Sequence, residues 1–458
     1  PPPPPPPPPP TFFLMIRRPP RSTQGGSSAA SDVYKRQGPG LLFAGAAIGV
    51  SHLVQSTRAG ADYGWGLLWA LILVNLFKYP FFQFGPRYAL ATNKSLLEGY
   101  HKLGKVYLWI YFLINIATMF TIQTAVTIVT ASLAANVFGV SENLVIWSLI
   151  ITFLCFLILL YGKYNLLDKI IKWIILLLTI STLIAVVIAV SKNTAYLSYK
   201  PIIPQGTELI FLIAFMGWMP APLDISIWHS LWTIEKNKKL KKIKINIGLQ
   251  DFNVGYFTTI FLGICFMGLG ALVMSNSNTE FSESGSIFAD QLINLYTSNL
   301  GENFYIFIAI AALTTMFSTS LTTLDASPRA MEKASELLFP KLKKLNYLFW
   351  ISCLSIGTCL IFLFLLSEMG KLVQIATVLS FITAPFYAIL NYVLVTSKQM
   401  PEKYKPKKFI KILSLMGIIF LSTFLRTSLI SNFLYEPFSS LGRSTEKIGI
   451  DNLLANST

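Results

Sequence analysis

Long apolar stretches alternate with short polar connections from about residue 38 to residue 426. Eleven of them meet or approach the roughly 20 apolar residues that a helix needs to cross a bilayer. The pattern predicts helices over 39–58, 64–90, 104–138, 144–161, 167–190, 207–233, 248–275, 284–319, 347–367, 372–396 and 408–430. The segment 284–319 begins polar, so its membrane part is expected at 303–319. The connections alternate as well. Those holding Arg87 to Lys105, Lys163 to Lys172, Lys236 to Lys244, Arg329 to Lys344 and Lys398 to Lys411 carry 24 of the 37 Lys and Arg. The turn at Ser141 and Glu142 and the stretch 275–302 carry none. Loops that stay in the cytoplasm keep their bases. The reading is an all-α polytopic membrane protein with a cytoplasmic N-terminus, expected in a bacterial inner membrane.

Composition agrees: 53% of residues are hydrophobic and only 13% charged. The net charge of +16 comes from bases in short loops beside apolar segments. That places them against anionic lipid, not nucleic acid. The four cysteines, Cys155, Cys265, Cys353 and Cys359, lie inside apolar runs at no metal-ligand spacing and read as packing residues. Residues 1–37 begin with ten prolines and fit no targeting segment. They are expected to be non-native read-through that replaces the true N-terminus. They hold five bases and one acid, so without them the charge is +12. At the other end, 431–458 reads as a polar tail or the start of a twelfth segment.

Two segments are poor continuous helices. The first carries Gly45, Gly49, Ser51 and His52 at its middle. The sixth carries Gly217, Pro220 and Pro222 within six residues. Proline removes a backbone donor and clashes with the preceding turn. Bare backbone at membrane depth is tolerated only where it is buried in protein or lines a cavity. Breaks in matching positions of two halves point to a transport site. The halves are then 38–190 and 207–396, with 408–430 peripheral. Charges in such segments are functional candidates by default. Candidate metal ligands are His52, Met219, Asp224 and the backbone carbonyls near Ala46, Gly49 and Ala221; His229 is a candidate proton carrier. Each has a plainer reading: Asp224 as a helix N-cap, His52 and Met219 as packing residues, His229 as interfacial. Lys78 either snorkels or pairs internally. The hydroxyl-rich run from Thr314 to Thr323 reads as helix packing or as the wall of an aqueous path.

The string from Gly38 to Ile72 resembles the first helix and following turn of the Nramp family of proton-coupled divalent metal transporters. Gly38-Pro39-Gly40-Leu41-Leu42, Ala59-Gly60-Ala61 and Tyr63-Gly64 match its pattern, as do Met219-Pro220 and His229-Ser230 in the sixth segment. The resemblance implies a LeuT-type fold of two inverted five-helix repeats. It also implies a divalent metal and a proton as substrates, with no resident cofactor. The departures fall at the family's metal site. Its Asp-Pro-Gly-Asn becomes Gly49-Val50-Ser51-His52, so its aspartate is glycine. Its Met-Pro-His-Asn becomes Met219-Pro220-Ala221-Pro222. Counted back from His229-Ser230, Asp224 falls on the family histidine; counted forward from Met219, it does not. The third segment has no acidic residue to serve as a proton relay. A divalent-metal transporter is the expectation, and a carrier of a small organic solute the alternative. A membrane scaffold has no positive support, and no nucleophile–base spacing suggests an enzyme.

Overall fold

The computed structural model describes Pro1 and residues 40–161, 179–191 and 199–426, apart from 207, 240–242, 274–281, 283–284, 343 and 365–368. The expectations for 1–37, for the tail 431–458 and for the first part of the fifth segment lie outside the described residues. Eight described helices are long and apolar enough to cross a membrane. They are α3 (Leu68–Thr92), α5 (Lys105–Phe138), α6 (Leu144–Tyr161), α10 (Ile245–Val273), α12 (Tyr305–Leu338), α13 (Tyr347–Phe364), α14 (Met369–Thr396) and α15 (Lys408–Arg426). A fifth span is described as α7 (Thr179–Ser191). The first and sixth spans are each split in two. The first is α1 (Gly40–Ala47), a π-helical turn (Ser51–Ser56) and α2 (Thr57–Tyr63); the sixth is α8 (Glu208–Trp218) and α9 (Ile225–Lys239). The chain is an integral membrane protein, and the described residues outline eleven spans.

Each half inserts one extra helix between its second and third spans. These are α4 (Leu96–Leu103) in the first half and α11 (Gly285–Leu300) in the second. That correspondence, with the breaks in spans one and six, is the two-repeat plan. Contacts between the spans fix their directions. Gly40 meets Gly255, and Gly60 meets Met267 and Gly270, so spans one and seven run parallel. Thr130 meets Ser320 while Gln123 meets Thr323, so spans three and eight run antiparallel. Both results agree with odd spans pointing one way and even spans the other.

One predicted element is corrected. The stretch 284–319 is two helices, because Gly301 takes a φ of +98° between α11 and α12. The membrane helix α12 then runs on past 319 to Leu338, through Pro328. Helix α4 begins at a capping box: the Ser95 side chain accepts from the Glu98 amide, and Glu98 accepts from the Ser95 amide at 2.7 Å. Losing such a cap costs about 1 kcal/mol. Ser95→Ala is expected to lower stability by that amount, which chemical denaturation in detergent would register.

Candidate functional site

The break in span six follows from its prolines. In an unbroken helix the Pro220 nitrogen would donate to the Met216 carbonyl, but Pro220 has no N–H. Pro222 cannot serve Trp218 for the same reason. Helix α8 therefore stops at Trp218, and α9 starts afresh at Ile225. The Asp224 carbonyl accepts from the Ile227 and Trp228 amides at 2.8 and 3.4 Å, which places Asp224 at the N-cap of α9. Its side chain is buried, and among the described residues the Oδ1 oxygen has no hydrogen-bond partner.

Buried carbonyls must find donors, and those of this break find Lys78. The Lys78 side chain is fully buried in the second span. Its Nζ donates to the carbonyls of Met216 and Gly217, each at 2.7 Å, and to that of Ala221 at 3.3 Å. Asp224 lies within electrostatic reach of the same ammonium. Of the two readings of Lys78, the structure selects internal pairing. The Ala221 carbonyl, a candidate metal ligand, is thereby already engaged.

In span one the helix bends at Ile48 and Gly49 and continues as the π-helical turn. The Thr319 hydroxyl of α12 lies 3.1 Å from the Thr315 carbonyl of its own helix and 3.3 Å from the Ile48 carbonyl. The Ser51 hydroxyl contacts the Ala47 carbonyl at 2.6 Å and His52 Nδ1 at 2.7 Å. His52 Nε2 donates to the Thr259 carbonyl at 2.8 Å. Both nitrogens of this fully buried ring are engaged with protein, as in the packing reading of His52.

The two breaks face each other across a cavity of about 20 Å³. Its wall includes Ala46, Val50 and Ser51 from span one, Pro222 and Ile225 from span six, and Thr319 and Thr323 from α12. That volume holds about one water. Among the described residues, no carboxylate lines it. Other candidates disperse around it. The Met219 sulfur sits 3.9 Å from the Ser56 hydroxyl and close to Gly263. The space in front of Gly49 is filled by Thr319. His229 is buried against the rings of Phe43 and Phe252, each with a centroid 5.6 Å away, and both its nitrogens are unpartnered among the described residues. Among the described residues, no three His, Cys, Asp or Glu side chains group as a metal cluster. Sequence reasoning left Lys78 between snorkelling and internal pairing, and the run that holds Thr319 between helix packing and the wall of an aqueous path. The signal for Thr319 was the hydroxyl run; for Lys78 it was only a base at membrane depth.

A second polar group lies near Asp224. The Tyr111 and Tyr387 hydroxyls are buried and unpartnered among the described residues, with ring centroids 6.2 Å apart, and both lie within electrostatic reach of Asp224. A wider cavity of about 410 Å³, lined by Gln55, Arg58, Tyr63, Glu208, Phe211 and Gln374 among others, opens at the ends of α2 and α8 away from the basic loops.

Comparison with known proteins places this geometry. Protein PM0681 of Pasteurella multocida is 38% identical over 396 residues, 84% of this chain and 90% of that one. The divalent metal cation transporter MntH of Staphylococcus saprophyticus is 24% identical over 84% of this chain and 89% of its own. The crystal structure of a mutant of the Eremococcus coleocola manganese transporter superposes with a TM-score of 0.68 at 15% identity, covering 94% of both chains. The fold is the LeuT type, two inverted five-span repeats with spans one and six broken. Residues 40–431 match the model of the natural resistance-associated macrophage protein-like family, and the chain belongs to that family, Nramp.

Proposed function

We propose that this chain is a secondary transporter that carries a divalent metal cation across the membrane by alternating access, coupled to protons. The observation that carries the reading is the ion-sized cavity at the meeting of the two breaks. An organic solute needs a site of roughly 300 Å³ or more, so a space of about 20 Å³ favours a small cargo. Asp224 lies between Pro222 and Ile225, which both line the cavity, and offers one buried carboxylate oxygen without a partner among the described residues. Such an oxygen is suited to help replace the hydration shell of a cation. The partnerless nitrogens of His229, in the half-helix on the basic-loop side, support a proton path. The basic loops support a cytoplasmic N-terminus, and the bacterial relatives support a bacterial inner membrane.

Manganese, cadmium and magnesium uptake into proteoliposomes tests this. Asp224→Ala is expected to lower the uptake rate at least about tenfold, a loss of about 1.4 kcal/mol. Equal flux in the two proteins removes Asp224 from the path. The alternative of an organic solute rests on a cavity wall of hydroxyls and apolar side chains. Thermal stabilisation by a small metabolite, and none by metals, would select it.

A further inference from the structure

We propose that the Lys78 ammonium is a resident cation: it fills a monovalent-cation site made by the carbonyls of Met216, Gly217 and Ala221. At this position the chain then has no need of a dissociable coupling ion. The site is built by the sixth span, and its donors belong together chemically. Met216 and Gly217 supply carbonyls from the last turn of α8, where the helix dipole is negative. Ala221 supplies one from the unwound segment. In folds with discontinuous spans, half-helix C-termini and unwound carbonyls are where free monovalent cations are coordinated.

Here the coordination comes from a side chain on the second span. Two of the contacts are 2.7 Å, the short end of the range for a charged donor. The side chain is wholly enclosed, so the ammonium has exchanged its water shell for these carbonyls. Burying a charge this deeply is costly unless it is paired and hydrogen-bonded. The three carbonyls and the nearby Asp224 charge provide that compensation. Potassium and ammonium ions are similar in size, so a carbonyl set fitted to one suits the other. Removing the side-chain amine while keeping the carbonyls should leave a vacancy that potassium, ammonium or methylammonium can enter. The tether also has a mechanical consequence. It ties the end of α8 to the second span, which fixes one side of the break whatever the cargo.

The experiment is thermal unfolding of the purified full chain in detergent at constant ionic strength. N-methylglucamine chloride is exchanged for potassium, ammonium or methylammonium chloride. The wild type is expected to shift by less than about 1 °C between these salts, because its site is filled. Lys78→Ala is expected to melt lower in N-methylglucamine and to recover at least about 3 °C, in a saturable manner, in potassium or methylammonium. Where Lys78→Ala is too unstable to purify, Lys78→Gln carries the same comparison, since its neutral amide leaves part of the site open. A variant with no cation-specific recovery overturns the proposal. So does a wild type that responds to potassium as strongly as the variant. No divalent metal enters the assay, so its failure and a failure of the cargo assignment are read separately.

Discussion

Gly60→Ala is expected to destabilise the protein by at least about 3 kcal/mol, the upper end of the range for overpacking a close-packed core. A methyl group at Gly60 would drive into the carbonyl oxygen of Met267 and come within 2.8 Å of the Ala271 nitrogen. Those are backbone atoms of α10, so no rotamer change can absorb the clash. The contact is reciprocal, because a Cβ at Gly270 would meet the Thr57 carbonyl oxygen and lie 2.8 Å from the Ala61 nitrogen. Spans one and seven therefore cross at backbone contact, as small residues permit in membrane helix pairs. The separation that one substitution forces should also accommodate the other. Gly60→Ala and Gly270→Ala are expected to be non-additive, the pair costing at least about 1 kcal/mol less than the sum of the singles. Thermal melts of the four proteins in one detergent give this cycle. Strict additivity would mean that the two glycines do not share a crossing.

The spans, their order and the two breaks were legible in the sequence because their causes are local. A membrane helix is an apolar length, a cytoplasmic loop is a run of Lys and Arg, and Pro220 with Pro222 cannot continue a helix. The division at Gly301 was harder to see, because it falls in a polar stretch whose helix α11 is too short and polar to be a span. The site was less legible than the fold. What decides Lys78 is a set of carbonyls 138 to 143 residues further along the chain. What occupies His52 is the carbonyl of Thr259 in another half of the molecule. Backbone acceptors leave no mark on residue identity, so a histidine at a break looks the same whether it is a ligand or already satisfied. Asp224 stands between these cases. Its N-cap position is local and was foreseen as one of two readings, while its unpartnered oxygen depends on packing.

Gly49→Ala is expected to cut uptake at least about tenfold, about 1.4 kcal/mol in the barrier, while the protein still folds. The new methyl would lie 2.8 Å from both Cγ2 and Oγ1 of Thr319. Thr319 is a side chain and not backbone, so it can yield, unlike the partners of Gly60. To yield, it must give up its bond to the Ile48 carbonyl, or press into the cavity of about 20 Å³ that it lines. Either response alters the one place where the two breaks meet, and that is why flux should suffer more than stability. Thr319→Ala removes the two closest atoms, and with them the hydroxyl that the Thr315 and Ile48 carbonyls share. In the double variant only the Cβ at 319, 3.2 Å from the alanine methyl at 49, still crowds it, so the methyl's own effect on uptake should shrink. The expected coupling is at least about 1 kcal/mol, roughly fivefold in rate. Parallel manganese uptake and thermal melts of the four proteins measure it. A Gly49→Ala that transports at the wild-type rate would show that Thr319 does not govern the junction. An aspartate at 49 would need the volume that Thr319 fills, so the glycine and the threonine are a single steric choice made across two spans.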